Sequence, residues 1–212
     1  MSDHKSIAFA DQLRPLAADG RKRCTRRVIR TSPPGNLVFV VETGKGWFAE
    51  YADRMGRERA VVCVYPRYLP GDMVYIREPW RSCLVSNLDR RALIQYGDGT
   101  DAVRIVPLDC DEPGETWEFR DAESMPAWAA RNWLRITDVR AERLQAITEE
   151  DCLLEGIRKV TEGAWRAPGI PATWIEAVYA FEALWDSIAK PGEKWESNPR
   201  VWCYGLEPTE AP

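Results

Sequence analysis

The chain carries a single histidine, His4, and that scarcity removes whole classes of chemistry. A Ser-His-Asp or Cys-His relay needs an imidazole beside its nucleophile, and a zinc centre built on histidines needs several, so neither is expected. His4 itself sits in the polar stretch Met1-Ser2-Asp3-His4-Lys5, expected to be a disordered tail. That stretch lacks the apolar core of a secretory signal, and no apolar run reaches the roughly 20 residues that cross a bilayer. A cytoplasmic protein outside the membrane is therefore expected. Paired cysteines are also missing: the six thiols, at 24, 63, 83, 110, 152 and 203, include no Cys-x-x-Cys and read as reduced, mostly buried small residues. Positive charge is not in excess either. The net charge is −4, whereas a protein that coats duplex nucleic acid needs many phosphate contacts, so sequence-blind duplex binding is not expected.

What is present is a large apolar fraction, 45%, with ten tryptophans in 212 residues, enough for one sizeable core and a single domain over 1–212. The cations are concentrated in Gly20-Arg21-Lys22-Arg23-Cys24-Thr25-Arg26-Arg27, with Arg30 just beyond. Ahead of them, Phe9, Leu13, Leu16 and Ala17 recur at helical offsets and predict a short helix over 9–18 whose exit suits Gly20. A β-rich segment, 28–30, follows, which places Lys22 and Thr25 near a tight turn. Neighbouring positive charges would favour a thiolate at Cys24. The cluster suits recognition of a phosphate, a carboxylate or a short strand. Its bland alternative is a charged edge that discourages strand-to-strand aggregation.

Val-, Ile- and aromatic-rich runs predict strands at 36–42, 47–51, 60–65, 72–77, 92–96, 103–107, 134–143 and 201–206, punctuated by Pro66, Pro70-Gly71 and Gly97-Asp98-Gly99. Residues 86–117 are polar and turn-rich and read as an insertion with its own hairpin. Pro126 suits the first turn of a short helix through Arg131. Thr148-Glu149-Glu150-Asp151 has the form of a capping box for a helix ending at Leu154 or Glu155, before Gly156. A third helix, 171–189, lines up Trp174, Ala177, Val178, Phe181, Leu184, Trp185 and Ile188 on one face. Such a stripe is usually core packing; the alternative is a homodimer surface.

The spacing Gly20-x-Lys22-x-x-Thr25-x-Arg27 resembles the signature of ASCH domains, small β-barrels related to the PUA fold. Further similarity follows in Leu69-Pro70-Gly71-Asp72 through Trp80, in Ile136-Thr137-Asp138-Val139-Arg140-Ala141-Glu142-Arg143-Leu144 and in Ile147 through Ile157. The closing Phe181-Glu182-Ala183-Leu184-Trp185-Asp186-Ser187-Ile188 and Trp195 through Trp202 resemble the longer ASCH proteins of phages and prophages. The resemblance implies an α+β fold: a PUA-like mixed β-barrel of about six strands with flanking helices and a helical insertion before the last strand. The chain is about twice as long as the short members, with additions at 86–117 and 163–195.

Some ASCH proteins are amidohydrolases that remove acyl groups from the exocyclic nitrogen of cytosine nucleosides, using a lysine, a threonine three residues later and a glutamate from a later helix. The resemblance places these roles on Lys22, Thr25 and Glu155, with Arg23, Arg26, Arg27, Arg77, Glu78 and Trp80 as substrate-binding candidates. The branch with glutamate in place of Thr25 is linked instead to RNA binding. Amide hydrolysis needs an activated nucleophile, an oxyanion donor and an acid for the leaving amine. Thr25 can attack with Lys22 as base and Glu155 as proton shuttle, or Glu155 can activate water while Lys22 and Thr25 hold the oxyanion. Each residue also has an ordinary reading: surface ammonium, strand-start hydroxyl, solvated carboxylate. Alternation along a strand sends Arg77 to one face and Ile76 and Glu78 to the other, and Trp80 suits either base stacking or packing. No cofactor or metal is implied. The expected partner is a modified nucleoside or a short single-stranded RNA, with binding of a host protein through the helical segment as a further alternative.

Overall fold

The computed structural model describes residues 4–30, 36–43, 46–52, 59–86, 89–108, 116 and 118–212. Its strands are β1 (Lys5–Ala8), β2 (Cys24–Val28), β3 (Asn36–Thr43), β4 (Gly46–Ala52), β5 (Arg59–Cys63), β6 (Met73–Arg77), β7 (Trp80–Ser86), β8 (Arg91–Tyr96) and β9 (Asp101–Ile105). The remainder are β10 (Trp133–Arg143), β11 (Arg158–Thr161), β12 (Ala164–Arg166) and β13 (Arg200–Thr209); the helices are α1 (Arg14–Ala18), α2 (Glu149–Leu154) and α3 (Ala177–Ile188).

The five-stranded sheet, in the order β1-β6-β10-β13-β2, is the frame. β13 lies inside it, and Val201, Trp202, Cys203 and Tyr204 are consecutively buried because both its faces are covered. β10 bulges between Ile136 and Val139 where it pairs with β13. The bulge requires a residue without a side chain opposite it: a Cβ on Gly205 would lie 2.4 Å from Thr137 Oγ1. β3-β4-β5 and β7-β8-β9 form separate three-stranded sheets, and β11-β12 is a hairpin.

This overturns the expected α+β fold built on one PUA-like barrel. The chain is mostly β, about 40% strand and 20% helix, and among the described residues its strands divide among several sheets without a closed barrel. The five-stranded sheet ends at β1 on one side and β2 on the other. Between those edges, side chains take the place of a ladder: the Tyr68 hydroxyl donates to the Ser6 carbonyl at 2.6 Å, and the Arg27 guanidinium donates to the Ala8 carbonyl. Main-chain acceptors satisfied in this way have no need of a neighbouring strand.

Other expectations shift for local reasons. α1 starts at Arg14 rather than at residue 9, because Pro15 has no N–H and belongs in a first turn. The segment after Pro126 makes only a 3-10 turn, Ala127–Ala129. α3 starts at Ala177, since Trp174 is held extended by paired main-chain bonds to Trp165 at 2.7 and 2.8 Å. β2 begins at Cys24, so Thr25 lies within a strand. The 86–117 hairpin is β8-β9, and it extends onto β7 around Trp80, Ile94, Tyr96 and Trp133; residues 87–88, 109–115 and 117 of that insertion fall outside the described set. His4 is no loose tail: its ring meets Trp133 edge-on at 5.1 Å. Cys24, Cys152 and Cys203 are buried, whereas Cys63 is exposed; the side chains of Cys83 and Cys110 lie outside the described residues.

The α2 boundaries follow their signals. Thr148 Oγ1 accepts from the Asp151 N–H at 3.2 Å, and Gly156 leaves the helix at φ +99°. The α3 stripe of Ala177, Ala180, Phe181, Leu184 and Trp185 is core, which leaves Ile175, Tyr179 and Ile188 outside. Among the described residues no helix is long and apolar enough to cross a membrane.

Candidate functional site

The cationic run is a strut between elements. The Lys22 N–H donates to Leu16 at the α1 end, the Arg23 N–H to Leu154 at the α2 end, and the Arg23 carbonyl accepts from Leu206 of β13, at 2.7, 2.7 and 2.8 Å. These bonds bring side chains from residues 22 and 155 together. Lys22, 1% exposed, places its ammonium on the Glu155 carboxylate and 3.3 Å from the Glu155 carbonyl. Arg26 donates to the other Glu155 oxygen at 3.0 Å, to Glu142 at 2.7 and 3.0 Å, and to Asp151 at 2.8 Å. Arg140 closes the network on Glu142 and Asp151 at 3.2 and 2.9 Å. Three cations thus face three carboxylates.

Removal of water from so many charges is tolerated only because each has partners. Burial alone would raise the Glu142 carboxyl, but its bonds to Cys203 and Arg26 outweigh that and hold it below the usual glutamate range. Cys24 behaves contrary to expectation. Burial, helped by the Glu155 charge, pushes its thiol up to about 12 against the pull of Arg26 and Lys22, so the cationic surroundings do not yield a thiolate.

Residues on β2 alternate between two faces. Arg26 and its cross-strand neighbour Cys203 belong to the ion network, while Thr25 pairs with Tyr204 and points, with Arg27, to the other side. There, in the gap between β1 and β2, lies a cleft of about 510 Å³. Arg27, Arg30, Arg67, Arg77 and Lys190 line it, and no carboxylate does. Arg30 is engaged by Glu193 at 2.8 Å. Arg27 stacks on Phe9, 5.5 Å from the ring centre; burial lowers its guanidinium below the usual range, and the charge of Arg67 acts in the same direction. The Arg77 Nε is buried without a hydrogen-bond partner. Tyr68 and Tyr204 meet edge-to-face at 5.2 Å on the cleft floor, with Tyr65 exposed at its mouth.

The expected residues therefore fall into several groups. Lys22, Glu155 and Arg26 come together in the buried network. Arg27 and Arg77 come together in the cleft. Thr25 is buried on the cleft face, no hydrogen bond among the described residues engages its hydroxyl, and it does not line the cleft itself. Arg23 is exposed and donates to the Gly20 carbonyl at 3.1 Å. Glu78 faces away from Arg77, as alternation requires, and is bound by Arg131 at 2.6 and 2.9 Å beside a different cleft. Trp80 is packed in the second core, 2% exposed. Sequence reasoning did not find Arg67, Tyr68 or Lys190, because loop residues carry no periodic signal; the Pro66 to Pro70 punctuation flanks the first two, and Pro191-Gly192 follows the third.

Comparison with protein-family models, with curated proteins and with solved structures returned no match to this chain.

Two outcomes follow from the network. Glu155→Ala leaves Lys22 and Arg26 buried beside a hole, and urea denaturation should show a loss of about 3–5 kcal/mol, against about 0.5 kcal/mol or less for the exposed Arg23→Ala. The folded Glu142 pKa lies below its unfolded value, so its stabilisation is complete above the ordinary 4.5 and is lost as pH falls through the lowered value. Stability should decline on acidification below pH 4.5, and Glu142→Gln should flatten that part of the curve.

Proposed function

We propose that the protein recognises a short single-stranded RNA in the cleft between β1 and β2. The observation that carries this reading is a concave site lined by five cations and no carboxylate, in a chain whose overall charge is negative. A phosphodiester supplies the missing anion. Arg67 and Arg77, which enter no ion pair among the described residues, are the phosphate ligands, and the buried Arg77 Nε is a donor already desolvated and in need of an acceptor. Tyr65, 73% exposed at the mouth, offers a ring to an unstacked base. The acidic remainder of the surface limits contact to the few phosphates the cleft can reach. A labelled hexaribonucleotide, followed by fluorescence anisotropy, should bind with a log-log salt slope of about −1.4, the value for two single-strand phosphate contacts. Arg67→Ala with Arg77→Ala should weaken it about tenfold or more. Affinity unchanged in that double variant would overturn the reading.

A second reading is favoured by a different observation. Lys22 and Glu155, residues the resemblance to ASCH proteins singles out, are in contact in burial although 133 positions apart. This supports hydrolysis of an N-acyl amide on a modified cytidine-type nucleoside, in which Glu155 takes a proton from the attacking water and returns it to the departing amine while Lys22 holds the oxyanion. Incubation with acylated cytidines and adenosines, read by mass spectrometry, should show release of the acyl group by the natural protein and its loss in Glu155→Gln; no release by the natural protein would overturn this reading.

A further inference from the structure

Another cleft, of about 610 Å³, lies among α1, the α2 exit, the β11-β12 hairpin and residues 167–171. That volume is in the range of small-molecule sites. Its apolar lining includes Leu16, Leu153, Ile157 and Ile170, and Leu153 is 44% exposed. Its charged lining is entirely cationic. Arg21 is already matched by Asp19 at 2.6 Å, so it needs nothing more.

The other two arginines are in a different position. Arg158 and Arg166 are direct cross-strand partners in the β11-β12 register, and both side chains line this cleft. Like charges directly opposite one another on paired strands destabilise the pairing. A hairpin of two short strands has little to offset that repulsion with. The usual remedy is a nearby carboxylate. The hairpin's ion pair is Lys159–Glu162 at 3.0 Å, while Arg158 and Arg166 enter none among the described residues. The Arg166 Nε is moreover buried without a hydrogen-bond partner. The two guanidiniums thus present donors to the same space with no carboxylate there, next to an apolar floor.

We infer that this cleft binds a small amphipathic carboxylate, its anionic head held between Arg158 and Arg166 and its apolar body laid on Leu16, Leu153, Ile157 and Ile170. A carboxylate accepts from two guanidiniums at once and relieves their repulsion, which a neutral apolar molecule cannot do. The apolar floor sets it apart from a site for a bare anion, which gains nothing from buried hydrocarbon. The site shares no residue with the β1-β2 cleft, so it stands whether or not RNA binds there.

The test uses octanoate as the amphipathic probe, inorganic phosphate as a charge-only probe and hexan-1-ol as an apolar-only probe, followed by calorimetric titration and thermal denaturation of the full chain. Octanoate should bind saturably and raise the melting temperature, while the other two do neither at matched concentration. Arg158→Gln combined with Arg166→Gln should weaken octanoate about tenfold or more without lowering the melting temperature of the ligand-free protein, since the double variant removes a repulsion. The inference is overturned if octanoate binds the double variant unchanged, if phosphate or hexan-1-ol matches octanoate, or if the ligand-free double variant melts lower.

Discussion

The position of Arg26 constrains the rest of the molecule. A guanidinium with no solvent contact has to be surrounded by acceptors, and its acceptors come from β10 through Glu142 and from α2 through Asp151 and Glu155. Loss of any one leaves a buried charge without full compensation, a far larger penalty than the loss of a surface pair. The network therefore fixes register more strictly than apolar packing alone would. A slip of β2 by one residue along β13 would send Arg26 to the cleft side and bring Thr25 against the carboxylates. Arg140, half exposed, ties the same two acids from the outside and closes the ring.

The same strand serves two faces with alternate residues. Cys24 and Arg26 are committed to the charged interior; Thr25 and Arg27 look toward the gap beside β1. The Ala8 carbonyl and the Phe9 ring hold Arg27 in place, which fixes that wall of the cleft. Lys22 joins the interior from just outside the strand, where the main-chain bonds of Lys22 and Arg23 fix the approach of α1 and α2. A sequence of eight residues is thereby split between holding the protein together and presenting charge to the cleft.

Much of the local structure was legible. The strand runs at 72–77, 134–143 and 201–206 correspond to β6, β10 and β13, and Thr148 with Gly156 brackets α2, since caps and glycine exits act through nearest neighbours. Association of the strands was not legible. Nothing in the spacing of β1 and β2 shows that their facing edges would be occupied by Tyr68 and Arg27 instead of by each other, and this is what separates the observed open sheet from the expected barrel. The helical periodicity around Trp174 was overridden by its main-chain pairing with Trp165, a tertiary bond between segments nine residues apart. At the candidate site, proximity of Lys22 and Glu155 was an expectation carried by the ASCH-like resemblance and by no spacing in the chain, whereas the Arg67 and Lys190 contributions depend on loop geometry alone. The thiol of Cys24 was misjudged because charge neighbours are visible in a sequence and desolvation is not.

β2 pairs only with β13 in the described sheet, and Val28 meets Val201 across almost the whole chain. A ribosome thus exposes the arginine-rich strand long before its partner exists. Until residues near 200 emerge, Arg26 has no β13 neighbour to hold it, and the acids from 142 to 155 arrive late as well. Such sequence-distant pairing makes for slow folding, and the nascent chain must pass through a stage in which an apolar core is partly formed around an unfinished ionic centre. Abundant charge in the early segment keeps that waiting strand in water, where it resists pairing with strands of other chains.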